Sequence, residues 1–286
     1  MESSFWTLEL NMTNKLSPTI TLNNGQAIPQ LGLGVYKLST DIAEGFIRDA
    51  IEVGYRRIDT AAIYGNEAEI GAGVRTCGLP REEIYVTTKI WNDNQGYDRA
   101  LEAIDESLAR LDIDYVDMLL IHWPKPQLDL FVETWAAFNK AMESGKIRGI
   151  GVSNFQIPHL EKLLAGGATV PALNQVELQP GFQQVELRKF NAEHNIATEA
   201  WSPLARGGFN EDPGVLAIAK KHGKTPTQVV VRWHLDLGNL VIPKTATVSR
   251  LAENFDVFDF QLDAEDMAVI ASLDAGMRTG PNPDEF

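Results

Sequence analysis

Cysteine is almost absent from this sequence. Cys77 is the only one among 286 residues, which excludes a disulfide framework and a metal site built from several thiolates. Basic residues are also scarce, because 25 lysines and arginines stand against 39 acidic residues and give a formal net charge of −14. Nucleic acids and anionic membranes are bound through clustered cations, so neither is an expected partner.

Long apolar runs are missing as well. No stretch of 18 consecutive apolar residues occurs, so the sequence predicts no transmembrane helix. The first eleven residues include Glu2 and Glu9 and no basic segment, unlike a secretory signal peptide. We therefore predict a cytoplasmic protein in which residues 1–18 form a partly disordered leader and residues 19–286 form a single domain.

Glycine-rich phosphate-binding turns are the third absence. Gly32-Leu33-Gly34 lacks the third glycine of a dinucleotide fingerprint, and Gly71-Ala72-Gly73 falls inside a predicted helix. This disfavours the alternative architecture, an open doubly wound sheet. Instead, eight short apolar segments alternate with amphipathic helical segments, which predicts a closed α/β barrel of the (β/α)₈ (TIM barrel) type. The predicted strands are Leu31–Val35, Arg57–Asp59, Ile84–Thr88, Val116–Ile121, Gly149–Val152, Leu173–Glu177, Ala197–Ala200 and Leu240–Ile242.

Further elements flank this repeating pattern. Thr19–Asn23 alternates apolar and polar residues, Asn24-Gly25 is a strong hairpin turn, and Ala27–Gln30 returns, so an N-terminal β-hairpin is predicted. An additional amphipathic helix is predicted over Leu262–Leu273 near the C-terminus. The long, glycine-rich segment Ser202–Gly214 is a candidate mobile loop.

Polar and aromatic residues close almost every predicted strand. They are Tyr36, Asp59, Lys89, His122, Ser153, Asn154, Gln175, Trp201, Lys244 and Thr245. Any one of them alone is explained as a helix cap or a loop residue. Since the carboxyl ends of barrel strands meet at one rim, where barrel active sites lie, their joint occurrence favours a shared site.

Four residues of this set and its surroundings suit proton transfer. A tyrosine phenol has an ordinary pKa of about 10, and a nearby lysine ammonium such as Lys89 lowers the pKa of Tyr64. Asp59 would keep Lys89 charged, and His122 would donate a hydrogen bond to the oxygen that Tyr64 protonates. Such a site fits a carbonyl that becomes an alkoxide. The alternatives are a purely structural Lys89–Asp59 ion pair, a Schiff-base lyase with neutral Lys89, and a non-catalytic redox sensor.

A second group lies near the C-terminus. Lys244, Thr245 and Arg250 place two cations and a hydroxyl at the start of a helix, a common phosphate site in barrels; the alternative is an ordinary surface helix start. Tyr36, Trp91 and Trp123 would supply an aromatic wall for an organic substrate. No His-Glu-x-x-His motif occurs and the other histidines are scattered, so no metal is predicted.

These residues together resemble the aldo-keto reductases, over nearly the whole chain from about Thr19. The matching motifs are Gly54-Tyr55-Arg56-Arg57-Ile58-Asp59-Thr60-Ala61, the order Asp59, Tyr64, Lys89, His122, the run Gly151-Val152-Ser153-Asn154-Phe155, and Ile242-Pro243-Lys244-Thr245 with Glu253-Asn254. Within the family the sequence is most similar to bacterial enzymes of the 2,5-diketo-D-gluconate reductase type. That similarity rests on Trp91-Asn92-Asp93, Trp201-Ser202-Pro203-Leu204 and Pro283-Asp284-Glu285.

The resemblance implies a fold, a cofactor and a reaction. It implies a barrel whose hairpin closes the bottom, NADPH bound across the mouth, and reduction of aldehydes or ketones to alcohols by a monomer. Tyr64 would be the general acid, with Asp59, Lys89 and His122 as its catalytic partners. Keto-sugar acids, small dicarbonyls of the methylglyoxal type and xenobiotic ketones all fit as the small carbonyl substrate, which Tyr36, Trp91, Trp123 and His122 would contact. A short C-terminal segment implies an open pocket.

The resemblance also implies how NADPH is held. Ser153, Asn154 and Gln175 would bind the nicotinamide carboxamide, and Trp201 would stack on the ring. Lys244, Thr245 and Arg250 would bind the 2′-phosphate and favour NADPH over NADH, while Asn254 would meet the adenine. Further cofactor contacts are expected from Thr60, Ser202, Leu204, Arg206 and Glu253. Arg206-Gly207-Gly208 departs from the family pattern where the pyrophosphate would be clasped.

Overall fold

The computed structural model describes residues 16–165 and 169–286, so most of the predicted leader lies outside the described residues. The strands are β1 (Thr19–Thr21), β2 (Ala27–Pro29), β3 (Leu33–Gly34), β4 (Arg57–Asp59), β5 (Tyr85–Ile90), β6 (Met118–Ile121), β7 (Ile150–Ser153), β8 (Leu173–Glu177), β9 (Ala197–Trp201) and β10 (Leu240–Val241). The helices are α1 (Thr40–Val53), α2 (Glu67–Thr76), α3 (Tyr97–Leu111), α4 (Phe131–Met142), α5 (Ile157–Leu164), α6 (Val185–Glu193), α7 (Pro213–His222), α8 (Pro226–Asp236), α9 (Val248–Phe255) and α10 (Ala264–Ala271).

Eight of the strands form one parallel sheet that closes on itself. Neighbouring strands follow chain order from β3 to β10. Parallel bridges join Leu31 to Val241 and Gly34 to Lys244, which links the first strand to the last. The predicted (β/α)₈ barrel is therefore confirmed, and the carboxyl ends of all eight strands lie at one rim.

The N-terminal hairpin seals the other end of the barrel, as expected. β1 and β2 pair antiparallel, with Ile20 opposite Ile28. Side chains of the hairpin pack with apolar side chains near the amino ends of the strands, which removes this end of the barrel interior from water. The cluster contains Leu22, Ile28, Tyr85, Met118, Leu120, Ala172, Leu173 and Leu240.

Amphipathic helices cover the outside of the sheet. In α3, Ala100, Ile104, Leu108 and Leu111 recur at helical spacing and are buried against the sheet. Within the described ranges, no helix is both long enough and apolar enough to cross a bilayer.

The ends of several helices follow from local chemistry. α8 begins with a capping box, because Thr225 accepts a hydrogen bond from the backbone of Gln228 and the Gln228 side chain accepts one from the backbone of Thr225. α1 ends at Gly54, whose φ of 127° suits a residue without a side chain. The predicted C-terminal helix is confirmed as α10, which Asp263 caps.

Candidate active site

The four predicted proton-transfer residues lie together at the rim. Lys89 at the end of β5 is fully buried and forms an ion pair with Asp59 at the end of β4. Its Nζ also donates to the carbonyl of Thr60 at 3.0 Å and lies 5.3 Å from the ring centroid of Tyr64. The ring centroids of Tyr64 and His122 are 5.8 Å apart. A phenol, an ammonium group and an imidazole are therefore neighbours at the rim of the barrel.

Burial decides the protonation of this group. Burial lowers the pKa of Lys89, but the Asp59 carboxylate and Tyr64 raise it more, so the net shift is upward. Lys89 therefore remains an ammonium ion, which argues against the Schiff-base alternative. Burial raises the pKa of Tyr64, and the lowering by Lys89 does not cancel it. The net direction is opposite to the lowering predicted from the Lys89–Tyr64 pair, because the sequence did not reveal that surrounding residues partly bury the Tyr64 side chain.

His122 is neutral. Burial, with a smaller contribution from the Lys89 charge, places its pKa well below the ordinary value. Its Nδ1 is buried and has no hydrogen-bond partner within residues 16–165 and 169–286. The rings of Trp91 and His122 pack in a T-shaped arrangement with centroids 5.1 Å apart. A neutral imidazole of this kind is able to donate one hydrogen bond to an oxygen without delivering a proton.

The residues predicted to hold a planar amide and a stacked ring also lie together. Asn154, in the left-handed region with φ 65°, donates from Nδ2 to the carbonyl of His122 at 2.9 Å. Its Oδ1 accepts from Nε1 of Trp201 at 2.8 Å, which fixes the indole plane. Ser153 Oγ donates to the carbonyl of Gln175 at 2.9 Å. The ends of β7, β8 and β9 are thus braced against each other.

Gln175 and Thr60, like Ser153 and Asn154, also have hydrogen-bond partners within the protein. Gln175 Nε2 donates to Asp59 Oδ2 and to Glu199 Oε2, both at 2.8 Å, so only its Oε1 is available to another group. Thr60 is fully buried, and its hydroxyl donates to Asn66 at 2.9 Å. Thr60 therefore supports the base of the site from within.

The predicted phosphate-binding group lies at the start of α9. Lys244 and Arg250 are exposed, and among the described residues neither forms an ion pair within 4 Å. Thr245 is buried and its hydroxyl accepts from the backbone N–H of Thr247 at 3.1 Å. Two exposed cations therefore lie beside a helix N-terminus, the arrangement that the sequence prediction of a phosphate site requires.

Two further residues of α9 that were expected to contact the cofactor are less exposed than Lys244 and Arg250. Asn254 is buried. Glu253 Oε1 accepts from the hydroxyl of Thr225, at the start of α8, at 2.9 Å. Glu253 thereby ties α9 to α8.

The loop after β9 has a strained backbone. Ser202, Ala205 and Arg206 have φ values of 50°, 44° and 57°, a region that residues with side chains avoid. Leu204 packs against the core while Arg206 is exposed. Strain of this kind concentrates at ligand-binding loops, consistent with the predicted role of the loop, and its mobility stays a prediction.

The aromatic wall includes a residue that sequence reasoning missed. Tyr36 lies 5.0 Å from Tyr64, ring to ring. Phe286 packs on Trp123 with centroids 4.5 Å apart and on Trp91 at 6.3 Å. Phe286 is the one aromatic residue in a polar tail rich in proline and glycine, and that isolation was the available signal.

Glu177, at the end of β8, was missed too. Its side chain is fully buried and accepts three hydrogen bonds, from the N–H and hydroxyl of Thr279, both at 2.6 Å, and from the N–H of Gly280 at 2.9 Å. Gly280 packs so tightly that an added Cβ would lie 2.5 Å from the ring of Trp201. Glu177 thus fastens the tail across the rim.

Comparison with known proteins identifies the family. The aldo/keto reductase family model matches residues 30–275. The chain belongs to the aldo/keto reductase family. It is 51% identical over 271 residues to an aldo-keto reductase of Mycolicibacterium smegmatis, covering 95% of this chain and 98% of the relative. It is 48% identical over 273 residues to methylglyoxal reductase DkgA of Escherichia coli, covering 94% and 98%.

A solved structure extends the comparison to the cofactor. A variant of Gox0644 in complex with NADPH superposes with a TM-score of 0.91 at 44% identity, over 94% of this chain and 98% of that one. As an aldo/keto reductase, the protein is an NADPH-dependent oxidoreductase that reduces carbonyl groups. The family, fold, cofactor and reaction class predicted from the sequence are confirmed.

Proposed function

We propose that this aldo/keto reductase reduces small dicarbonyl compounds of the methylglyoxal type, with Tyr64 as the proton donor. The observation that carries the proposal is the buried Lys89–Asp59 pair beside Tyr64, with neutral His122 also packed near the phenol ring. The substrate class is supported by the Escherichia coli relative, which is named for methylglyoxal, and by the aromatic wall around His122.

The residues at the rim fit NADPH. Gln175 retains one amide oxygen for a carboxamide, and Trp201 presents an indole plane held by Asn154. Lys244 and Arg250 lie exposed at the start of α9, where a 2′-phosphate would find two cations and a helix N-terminus. When bound, NADPH supplies the hydride that reduces the carbonyl carbon.

The protein's own groups complete the reaction on oxygen. His122 donates a hydrogen bond to the substrate carbonyl and orients it toward Tyr64. Tyr64 gives its proton to the oxygen as the carbonyl carbon gains hydride, so an alcohol forms and a phenolate remains. The Lys89 ammonium stabilises that phenolate, and Asp59 keeps the ammonium charged in its buried position.

The organisation of the whole protein belongs to the same proposal. We propose that residues 19–286 act as one domain in a cytoplasmic monomer that does not bind nucleic acid. The excess of acidic residues supports the last point. Light scattering on a sizing column tests the monomer, since a mass of twice 31.6 kDa would contradict it.

The general acid is tested by Tyr64→Phe, which removes only the hydroxyl. We expect methylglyoxal reduction, followed by NADPH absorbance, to fall about 10²- to 10⁴-fold, the contribution of a positioned acid. NADPH affinity measured by calorimetry should stay within about twofold, since the hydroxyl is assigned to the substrate. Tyr97→Phe, at an exposed position at the start of α3, is the matched control. Near-normal turnover of Tyr64→Phe would rule out Tyr64 as the acid.

A further inference from the structure

A line of buried charged groups continues from Asp59 into the barrel. Arg57 and Asp59 are two residues apart on β4, so both side chains point to the barrel interior. Arg57 is fully buried and forms an ion pair with Glu199 of β9. Its Nη2 also donates to the carbonyls of Gln30 and Val241, each at 3.0 Å. Nothing in the proton-transfer chemistry uses Arg57 or Glu199.

Gln175 connects the two ion pairs. Its Nε2 lies 2.8 Å from Asp59 Oδ2 and 2.8 Å from Glu199 Oε2. A primary amide nitrogen carries two hydrogens, and here each has its own carboxylate. Rotation of the amide by half a turn would set Oε1 against Asp59 Oδ2 and Glu199 Oε2, and these two oxygens would lose the donor that Nε2 gives them. The contacts therefore permit one orientation of the amide.

Arg57 supports this arrangement because its ion pair with Glu199 favours the ionised carboxylate. Burial raises the pKa of Glu199, and the Arg57 guanidinium opposes that shift without cancelling it. A protonated Glu199 would become a donor and would tolerate a rotated amide. An ionised Glu199 accepts only, so it holds the nitrogen of Gln175 toward itself.

We propose that Arg57 and Glu199 are positioning residues that lock the Gln175 amide so that it offers only its carbonyl oxygen to the cofactor. The proposal rests on the proposed assignment of Gln175 to the nicotinamide carboxamide. That carboxamide must then donate its N–H to Gln175. The locked amide accordingly selects cofactors that carry a carboxamide NH₂ over analogues that carry an acetyl group in its place.

The test compares two oxidised cofactors, NADP⁺ and its 3-acetylpyridine analogue, by calorimetry. The full-length protein should bind NADP⁺ about 2- to 10-fold more tightly, the effect of one neutral hydrogen bond. In Arg57→Met/Glu199→Met, which replaces a buried ion pair with apolar side chains, the ratio should fall because Asp59 alone then holds the amide nitrogen and the rotated orientation becomes more accessible. A purely structural role would weaken both cofactors equally and leave the ratio unchanged.

Two further variants make the result decisive. Arg232→Met/Asp236→Asn breaks an ion pair on α8, away from the rim, and should keep the ratio of the unmodified protein. Gln175→Leu removes the acceptor itself, and should bring the ratio to one even if the Arg57/Glu199 variant does not fold. An unchanged ratio in folded Arg57/Glu199 or Gln175 variants overturns the inference, as does no discrimination by the unmodified protein. Failure of the unmodified protein to bind NADP⁺ would instead refute the proposed function.

Discussion

The tail that crosses the rim depends on one buried carboxylate, and Glu177→Gln tests that dependence. All three groups that approach Glu177 are donors: the N–H and hydroxyl of Thr279 at one oxygen, and the N–H of Gly280 at the other. A carboxylate accepts all of them. A glutamine of the same shape must turn its NH₂ toward at least one donor, so at least one hydrogen bond is lost.

The size of the effect follows from that count. A hydrogen bond to a charged group contributes about 1.5–3 kcal/mol. Loss of one such bond at Glu177 should therefore shift the balance between the fastened and released tail by roughly 10- to 150-fold toward release. Because Phe286 lies at the end of this tail and packs on Trp123, release should also open the aromatic wall.

Hydrogen exchange measures the release directly. The amides of Thr279 and Gly280 should exchange faster in Glu177→Gln by about the same factor, and KM for an aromatic aldehyde should rise more than KM for methylglyoxal. Thr279→Val is the matched control, since it removes only the hydroxyl bond and should produce a smaller acceleration at Gly280. Unchanged exchange at both amides in Glu177→Gln would refute the reasoning.

Three further outcomes are expected. Phe286→Ala should raise the KM for aromatic aldehydes several-fold and leave the KM for methylglyoxal nearly unchanged, because we expect only large substrates to reach that ring. Equal changes in both KM values would contradict the placement of Phe286 in the substrate wall. Arg250→Ala should weaken NADPH binding about tenfold in a calorimetric titration, because one charge-assisted hydrogen bond is lost. The affinity for NADH, which has no 2′-phosphate, should hardly change. Equal losses of affinity for the two cofactors would exclude Arg250 from the 2′-phosphate site. Burial lowers the pKa of His234 to about 3, so between about pH 6.5 and pH 3 the unfolded chain binds a proton that the folded protein does not. Urea titrations should show that the unfolding free energy lost from pH 7 to pH 5 is about 2 kcal/mol larger than in His234→Asn, and an identical loss would mean that His234 titrates normally.

Local patterns in the sequence were sufficient for the barrel and for the centre of the site. Alternation of short apolar segments with amphipathic helices predicts parallel strands, and parallel strands end at one rim. Asp59, Lys89 and His122 close neighbouring strands, so their meeting follows from chain order without knowledge of packing. β5 extends to Ile90, beyond the predicted Thr88, because the backbone of Lys89 and Ile90 pairs with Leu120 and Ile121 of β6.

The remaining features were decided by tertiary structure. The fixed amide of Gln175 depends on Glu199 in another strand, and the fastened tail depends on Glu177 and Thr279, which are 102 positions apart. The raised pKa of Tyr64 depends on burial by surrounding chain. Periodicity reports which residues face the core of one element, whereas partners and burial depth arise only when distant segments pack together. The sequence by itself therefore determined the architecture and which residues we propose for proton transfer, whereas packing determined the pKa shift of Tyr64 and the orientation of Gln175.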